Sequence, residues 1–326
     1  MNAVDHNNVV IFDDRGIPSI MCRFVRPKDT EEVPAVFKIG DKVADAIYIS
    51  KYPNIVIDGR AYSMPMADPT VNITFDEAVQ ACRCKGLGWH LMTAVEYEYL
   101  LNQSREKGTM PHGNTDWGKD YYHNEEQGKV SNLGRTYTGT GPVTWNHDHT
   151  PYGVSDLNGN VWEWLAGLRI KDGVIEFIPG NKAASPYCDL SKDSTEWQQA
   201  ETSKGPVRAN VECGEITITD AVAADDYEPN YDGVRIEELE VKLSEIPQVL
   251  KDLGIIPDKR AEEEGKTYVY FDATEGEYLP VRGSAFHNAS NAGPSALGLS
   301  DPRSYSYVSV GFRSAFYEVN GKLITE

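Results

Sequence analysis

The stretch "YGVSDLNGNVWEWLAG", Tyr152 to Gly167, places two tryptophans on either side of a glutamate, shortly after a Gly-Asn turn. Successive side chains of a strand point to opposite faces, so this spacing puts Trp162 and Trp164 on one face and Glu163 on the other. Indole rings bury large apolar areas and are typical of core strands. We therefore predict a strand with two packed indoles and a glutamate directed away from them.

The composition is that of a globular protein with an uneven acidic charge. The 326 residues are 40% hydrophobic, which is enough to build a substantial core, and the net charge is −19. Residues 214–280 hold 18 acidic and 6 basic side chains and so carry −12 of that charge. Because this excess repels a phosphate backbone, no nucleic-acid partner is expected.

Nothing in the sequence indicates membrane insertion or a secretory signal. The chain has no run of about 20 apolar residues. Its start, "MNAVDHNNVVIFDDRG", lacks a basic end followed by an apolar segment. Five cysteines, an odd number that includes Cys82 and Cys84 but none after Cys213, argue against a disulfide framework. Cys82 and Cys84 also lack a second pair at zinc spacing.

Two helices are predicted from their capping residues. In "ITFDEAVQACRCKG", Thr74 is the expected N-cap and Glu77 completes a capping box, with apolar residues at helical spacing behind them. In "LMTAVEYEYLLNQSREKG", Thr93 and Glu96 repeat the pattern, and Gly108 ends the helix.

The other segments are predicted to be loops and strands, with one further helix. Residues 108–159 are rich in Gly, Asn, Asp and Thr, which is typical of long ordered loops. Strands are expected within 174–180, 215–220, 266–273 and 277–286. Residues 235–254, "RIEELEVKLSEIPQVLKDLG", predict an amphipathic helix that Pro247 interrupts or restarts.

Four blocks in chain order resemble the formylglycine-generating-enzyme type of C-type lectin fold between Ala46 and Ala315. They read "TFDEAVQACRCKGLGWHLMTAVEYEYLL", "GVSDLNGNVWEW", "LPVRGSAF" and "VGFRSAF". The resemblance implies an α+β fold with two helices, a small twisted antiparallel sheet and many long loops. We expect residues 1–40 to form an N-terminal strand and attachment segment. Residues 41–326 would form the lectin-like domain, with an acidic insert at 214–280 and a variable region at 281–316.

The enzymatic branches of that family do not fit the residues present. The oxidases place catalytic cysteines in the block that reads "RGSAFHNASNAG" here, where no cysteine occurs. The iron-dependent sulfoxide synthases rely on a histidine cluster, and His147 and His149 are the only close pair in this chain. Both are interpreted as turn residues, so the chain is not expected to be an enzyme.

A third branch fits the segment "VRGSAFHNASNAGPSALGLSDPRSYSYVSVGFRSAF". It resembles the variable region of retroelement-diversified proteins, the family of the phage major tropism determinants. The resemblance implies a fixed scaffold of Arg282, Gly283, Ser290, Asn291, Ala292, Gly293, Ala296, Leu297, Leu299, Arg303, Ser304, Ser306, Val310, Gly311, Phe312 and Arg313. It implies a diversified, ligand-binding set of Ser284, Ala285, Phe286, His287, Asn288, Ser295, Gly298, Ser300, Asp301, Tyr305, Tyr307, Val308 and Ser309.

The residue types of the diversified set agree with this interpretation. Each of them is reachable from an asparagine codon by changing adenines, and Lys, Glu, Met, Gln and Trp are absent. Adaptable binding surfaces use tyrosine, serine, glycine and asparagine, because tyrosine gives contact area at small entropic cost. Phe286, Tyr305 and Tyr307 are the expected anchors.

The resemblance to the C-type lectin fold also implies a calcium site, and no other cofactor is required. Its ligands would be the carboxylates of Asp156 and Glu163 and the carbonyls of Gly159 and Val161, an all-oxygen set that suits calcium. A second interpretation leaves Asp156 to cap a turn and Glu163 to pair with an arginine of the scaffold.

The resemblance predicts a hypervariable receptor-binding protein of a phage tail, diversified by adenine-directed mutagenesis. Its partners would be a cell-surface protein or glycan of the host or target cell and other virion proteins. We expect it in the virion or, alternatively, on a bacterial cell surface, as a homotrimer whose copies add avidity. A lectin-like adhesin of fixed specificity and a formylglycine-generating-type oxidase are the alternatives.

Overall fold

The computed structural model describes residues 6–224 and 227–323. In these ranges the chain forms three α-helices, α1 (Phe75–Arg83), α2 (Ala94–Lys107) and α3 (Gln248–Asp252). The strands of the same ranges, in chain order, are β1 (His6–Phe12), β2 (Pro18–Val25), β3 (Lys38–Ile39), β4 (Lys42–Val43), β5 (Ala46–Ser50), β6 (Ile55–Ile57), β7 (Arg60–Tyr62), β8 (His90–Leu91), β9 (Trp162–Trp164), β10 (Leu168–Lys171), β11 (Val174–Phe177), β12 (Gln198–Gln199), β13 (Glu201–Thr202), β14 (Gly205–Pro206), β15 (Arg208–Glu212), β16 (Glu215–Thr219), β17 (Tyr231–Arg235), β18 (Glu240–Lys242), β19 (Tyr268–Asp272), β20 (Glu277–Arg282), β21 (Leu297–Pro302), β22 (Val310–Phe312), β23 (Ser314–Val319) and β24 (Lys322–Leu323).

Helices α1 and α2 begin at the capping boxes predicted from the sequence. The hydroxyl of Thr74 accepts a hydrogen bond from the Glu77 amide at 3.3 Å, and the Glu77 carboxylate accepts one from the Thr74 amide at 2.9 Å. Thr93 and Glu96 form the same pair of bonds at the start of α2. Gly108 follows α2 at a φ of 64°, a left-handed conformation that glycine adopts without strain. Both helices are thus confirmed.

We expect the substitution Thr74→Ala to lower the free energy of unfolding by about 1 kcal/mol, because an alanine N-cap leaves the Glu77 amide without its acceptor. Gln80→Ala, on the exposed face of the same helix, should change the free energy by less than about 0.5 kcal/mol. Urea denaturation of both variants tests this. Equal losses for the two would contradict the role of the cap.

The first sheet joins the two ends of the described chain. Its strand order is β1-β2-β5-β23-β24, with β8 also paired to β23. Strands β1 and β2 are antiparallel, and β2 pairs in turn with β5. The N-terminal segment predicted at 1–40 therefore packs as part of the main domain over its described residues, and Met1–Asp5 lie outside them.

The second sheet has twelve strands and is larger than the small antiparallel sheet implied by the resemblance. Its main path is β17-β19-β21-β20-β10-β11-β15-β16-β18, with β12 beside β11 and β9 between β20 and β22. Three pairings are parallel: β16 with β18, β19 with β21, and β9 with β22. The acidic insert supplies β16 to β19 and most of β20, so it completes this sheet.

Residues 235–254 do not form the predicted amphipathic helix. Ile236–Glu238 form a single 3-10 turn, β18 pairs with β16, and only α3, which follows Pro247, is α-helical. Ile236, Leu250 and Leu253 still lie in one core. These apolar residues therefore reach the core from several short elements and not from one helix. The pairing of β18 in the sheet overrides the local helix propensity.

Two hydrophobic cores lie on opposite faces of the second sheet. Along β21, Leu297 and Leu299 face the core that includes Leu100 and Leu101 of α2. The other face packs Trp164 and its neighbours against α1, where Phe75 meets the indole edge to face at 6.1 Å. None of the helices within 6–224 and 227–323 has the length and apolar character needed to cross a bilayer.

The quoted stretch lies at the centre of this arrangement. Trp164 is fully buried and Trp162 half-buried, as expected for indoles on one face of β9. On the opposite face, the carboxylate of Glu163 forms a two-point ion pair with Arg313. Both side chains are at most 2% exposed. Arg313 also donates hydrogen bonds to the carbonyls of Ser50 and Ser155 at 3.1 Å, so one guanidinium joins three separate segments.

Residues 108–159 form the long loops that were predicted, and two asparagines hold them in place. The side-chain carbonyl of Asn160 accepts hydrogen bonds from the Thr136 amide at 2.9 Å and from Asn114 at 3.3 Å. Asn114 also accepts a bond from the Gly118 amide. Gly159 has a φ of 73°, and a Cβ there would lie 2.1 Å from the Asn114 carbonyl oxygen. Only glycine fits this crossing of the two loops.

Candidate functional site

The thirteen residues predicted to be diversified do not all lie on one exposed surface. Two are exposed, His287 and Tyr307, and five are half-buried: Asn288, Ser300, Asp301, Tyr305 and Val308. The other six are buried: Ser284, Ala285, Phe286, Ser295, Gly298 and Ser309. These six side chains therefore do not reach solvent, and their diversification stays a prediction.

The buried members have structural partners. The hydroxyl of Ser295 donates to Glu264, whose carboxylate also holds Arg105. Ser284 has a φ of 66°, and its hydroxyl accepts a bond from the Gly159 amide at 3.2 Å. Phe286, an expected anchor, lies under Trp117 with ring centroids 5.0 Å apart and is 3% exposed. These side chains support the loops and do not face solvent.

The predicted scaffold includes three arginines that the structure places in ion pairs. Arg282 pairs with Glu98 at 3.2 Å, Arg303 with Glu277 at 2.9 Å, and Arg313 with Glu163 as described above. Two other predicted scaffold residues, Ser304 and Ser306, are exposed.

Tyr305 and Tyr307 of the C-terminal segment belong to a larger surface, which we name the tyrosine face: Trp162, Tyr231, Tyr268, Tyr270, Asp301, Tyr305 and Tyr307. Tyr305 and Tyr307 stack with centroids 6.3 Å apart and an interplanar angle of 20°. Tyr270 lies 5.8 Å from Tyr268 and 6.4 Å from Trp162. Since Trp162 and Tyr305 border the second core, this face extends that core toward solvent.

The pleat of the second sheet places the tyrosines on this face. In β19, Tyr268 and Tyr270 alternate with Val269 and Phe271, which point into the first core. Gly298 of β21 lies opposite Tyr270. Sequence reasoning missed Tyr231, Tyr268 and Tyr270, which lie in the acidic insert. The alternation in "TYVYFD" is the signal that would have indicated an open sheet face.

Hydrogen bonds from neighbouring segments hold the loop that carries Tyr305 and Tyr307. The Tyr307 carbonyl accepts a hydrogen bond from the Asn72 amide at 2.9 Å, and the Val308 carbonyl accepts one from Arg135 at 2.9 Å. Arg303 anchors the start of the loop through its ion pair with Glu277. The tyrosines are thus held on a rigid support, which lowers the entropic cost of binding through them.

Asp301 is the charged group of the tyrosine face. It is half-buried, and among the described residues no side chain forms an ion pair or hydrogen bond with its carboxylate. Burial raises its pKa to about 6. Burial, together with the charge of Asp301, also raises the pKa of Tyr231 and of Tyr305, so the carboxylate lies near both phenols. Buried polar groups normally have partners, and such an exception among aromatic side chains indicates a binding site.

The substitution Asp301→Asn is expected to stabilise the protein at pH 7.5 by about 1–2 kcal/mol, allowing for partial exposure. The folded-state pKa of Asp301 lies above its ordinary value of 3.8. The ionised carboxylate therefore costs stability above about pH 6, and this cost disappears as the pH falls toward 4. Denaturation of both proteins at pH 7.5 and pH 4 should show a difference only at the higher pH. An unchanged or lowered stability at pH 7.5 would contradict the assigned environment.

A second aromatic patch lies where the long loops meet the C-terminal segment. Trp117, Tyr121 and Tyr122 are 61%, 40% and 55% exposed. The Trp117 amide donates to the Phe286 carbonyl at 2.7 Å, and the exposed His287 lies against both rings. Burial lowers the pKa of His287.

The side chains at the implied calcium site do not fit the ion well. Both carboxylate oxygens of Glu163 are bonded to Arg313, which brings a positive charge to the position of the cation. Asp156 is buried, accepts a bond from the Gly139 amide at 3.2 Å, and has a pKa raised by burial to about 6. Among the described residues no group of three or more His, Cys, Asp or Glu side chains is arranged to hold a metal. This geometry favours the second interpretation, and calcium bound also by the Gly159 and Val161 carbonyls stays a prediction.

The predicted turn histidines also lie where expected. Residues 147–150 form turns and bends. The imidazole of His147 accepts a hydrogen bond from the Val154 amide at 2.9 Å, and the ring of His149 lies 3.1 Å from the Met110 carbonyl.

Comparisons with known proteins agree with the fold class. Residues 51–207 match the sulfatase-modifying factor enzyme 1-like domain. Over 105 residues the chain is 36% identical to the formylglycine-generating enzyme of Mus musculus. These residues make up 30% of this chain and 27% of that protein. The chain thus spans about a quarter of the length of this curated relative.

Three solved structures show a distant likeness. For the Major Tropism Determinant P3c variant the TM-score is 0.34 at 11% identity, covering 97% of this chain and 62% of that one. For PvdO from Pseudomonas aeruginosa the TM-score is 0.35 at 14% identity, covering 96% and 99%. For Treponema denticola variable protein 1 it is 0.36 at 11% identity, covering 95% and 98%. The fold is α+β, and residues 51–207 are similar in sequence to the sulfatase-modifying factor enzyme 1-like domain.

Proposed function

We propose that this chain is a variable ligand-binding protein that recognises a protein or glycan on a host or target cell through its C-terminal segment. The observation that carries the proposal is the half-buried Asp301, without a partner among the described residues and surrounded by tyrosines. A half-buried carboxylate without a partner destabilises the unbound protein. A ligand that supplies the missing partner removes this destabilisation, which increases its affinity.

The chemistry of the tyrosine face supports binding. Tyr231 and Tyr307 are about half exposed, at 51% and 50%. Within the described residues no hydrogen bond engages the hydroxyls of Tyr231, Tyr270, Tyr305 or Tyr307. Rigid tyrosines with free hydroxyls offer large contact area and adaptable hydrogen bonding, as in the binding loops of antibodies.

The proposed diversification is restricted by burial. Seven members of the predicted set are exposed or half-buried, so that a new side chain at these positions reaches solvent: His287, Asn288, Ser300, Asp301, Tyr305, Tyr307 and Val308. We propose that adenine-directed mutagenesis changes the ligand chiefly at these seven positions.

The proposed setting is a phage tail, in which copies of the chain assemble as a homotrimer with other virion proteins. A single face of this size binds weakly, and several linked copies raise the overall affinity. Catalysis is not part of the proposal, because residues 281–316 contain no cysteine for the oxidase chemistry.

Sequencing the 3′ end of the gene and the DNA downstream from many related isolates tests the proposal. We expect differences at adenine-templated codons, concentrated at the seven accessible positions, and a near-copy of the segment nearby. An unchanging C-terminus without a template copy would refute diversification and favour an adhesin of fixed specificity.

A further inference from the structure

We propose that Asp301 and the tyrosines around it receive a lysine or arginine side chain from a protein partner, an inference that rests on the proposed function. The tyrosine face then has two parts. Asp301, Tyr305 and Tyr307 come from the C-terminal segment, and Tyr231 and Tyr270 come from β17 and β19 of the acidic insert. The insert thereby acquires a role in recognition.

Charge complementarity indicates a cationic ligand. Of the ion pairs formed by described residues, none includes Asp301, and the basic residue on the adjoining strand, Arg235, is directed to Glu237 at 3.8 Å. Among the described residues, no lysine or arginine lies over the rings of Tyr231, Tyr270, Tyr305 or Tyr307. The face therefore combines a carboxylate with several aromatic rings and lacks a cation of its own.

A cation satisfies these groups better than a neutral hydroxyl. An ammonium or guanidinium group gives Asp301 both a hydrogen-bond donor and the opposite charge. The negative faces of the tyrosine rings attract the same cation, most strongly where water is excluded. The net charge of −19 also favours the approach of a basic partner surface.

Two glycines of the second sheet lie next to Tyr270 and Asp301. A Cβ at Gly233 would lie 2.3 Å from the Tyr270 ring, so this tyrosine lies directly over the glycine. Gly298 lies on the strand paired with Tyr270. A Cβ at Gly298 would lie 3.9 Å from the Oδ2 atom of Asp301. The Tyr270 ring therefore packs directly on Gly233, and the Asp301 carboxylate lies close to Gly298 on the neighbouring β21.

The test uses small probes that carry the proposed side chains. The full chain is titrated with Nα-acetyl-lysine methylamide and Nα-acetyl-arginine methylamide, with the norleucine analogue as the neutral control, while tyrosine resonances are followed by NMR. A panel of neutral sugars forms a separate arm. We expect saturable shifts with the two cationic probes and none with norleucine.

Variants assign the binding to this site. Asp301→Asn should weaken binding of the cationic probes about tenfold, and Tyr231→Leu should weaken it severalfold. Asp258→Asn removes the same charge from an exposed carboxylate paired with Lys251 and should leave binding unchanged. Thermal melting of each variant checks that it is folded, and a second variant, Asp301→Glu, should retain part of the affinity if Asn alone disturbs the loop.

The outcomes separate this inference from the proposed function. Three results would overturn the inference that the ligand is cationic. They are equal binding of the norleucine analogue, no effect of Asp301→Asn in a folded protein, and no binding of the cationic probes. Binding of neutral sugars that is insensitive to Asp301→Asn would also overturn it and leave variable ligand binding intact. An invariant gene segment would refute diversification without changing the probe titrations.

Discussion

Replacement of Arg313 by alanine is expected to lower the free energy of unfolding by about 3–5 kcal/mol, or to prevent folding. The guanidinium is fully buried, and it binds the Glu163 carboxylate and the carbonyls of Ser50 and Ser155. Without it, a charge stays buried in β9 with no counter-charge, and two carbonyls lose a donor. The charge of Glu163 also raises the pKa of Arg313, so the guanidinium stays charged, whereas burial raises the pKa of the Glu163 carboxyl.

Arg26→Ala is the matched control for this prediction. Arg26 approaches Asp45 at 3.7 Å, and both side chains are partly exposed, at 26% and 39%. Loss of such a surface pair costs less than about 1 kcal/mol. Chemical denaturation of the two variants should therefore differ clearly, and the double variant Arg313→Met with Glu163→Met should recover part of the loss. A change below about 1 kcal/mol for Arg313→Ala would contradict the assigned pair.

The second large effect is expected at Ala285, a position predicted to be diversified. Ala285→Tyr should destabilise the protein by about 3 kcal/mol or more, since Ala285 is fully buried. A phenol at this position overpacks the loop and buries a hydroxyl without a partner. Its amide also donates to the Asn288 side chain at 2.7 Å, a bond that any local shift breaks.

Ser300→Tyr provides the comparison, because Ser300 is half-buried on β21 and is also a member of the predicted set. We expect a change within about 0.5 kcal/mol for this variant. Thermal and urea denaturation measure both effects. If the two substitutions are tolerated equally, the buried positions are free to vary, and the restriction to seven positions is wrong.

The features predicted correctly are those encoded by neighbouring residues. The capping boxes at Thr74 and Thr93 depend on a partner three residues away, and each was found in place. The alternation around Glu163 likewise identified β9 and its faces. The arginine that meets Glu163 is about 150 residues away, and the sequence left calcium and an ion pair as alternatives. The segment 235–254 was assigned wrongly because its partner, β16, is also distant in sequence.

The candidate site was predicted only in part for the same reason. Tyr305, Tyr307 and Asp301 were identified from the resemblance, and they lie on the tyrosine face. Ser295 was placed in the diversified, ligand-binding set by the resemblance, and its burial against Glu264, in the insert, has no local signal in the sequence. Tyr231 and Tyr270 were missed because their place beside the C-terminal segment arises from the parallel pairing of β19 with β21, which no local pattern specifies.

The position of β23 determines when a newly made chain is able to fold. This strand pairs with β5, so that Ala315 lies opposite Ile49, and β22 pairs with β9. On the ribosome, β5 and β9 therefore keep open edges until β22 and β23 have been translated. Contacts of such long sequence separation form slowly, and open edges promote aggregation. A product interrupted before Val310 thus lacks the strands that complete both sheets, and we expect it to be degraded.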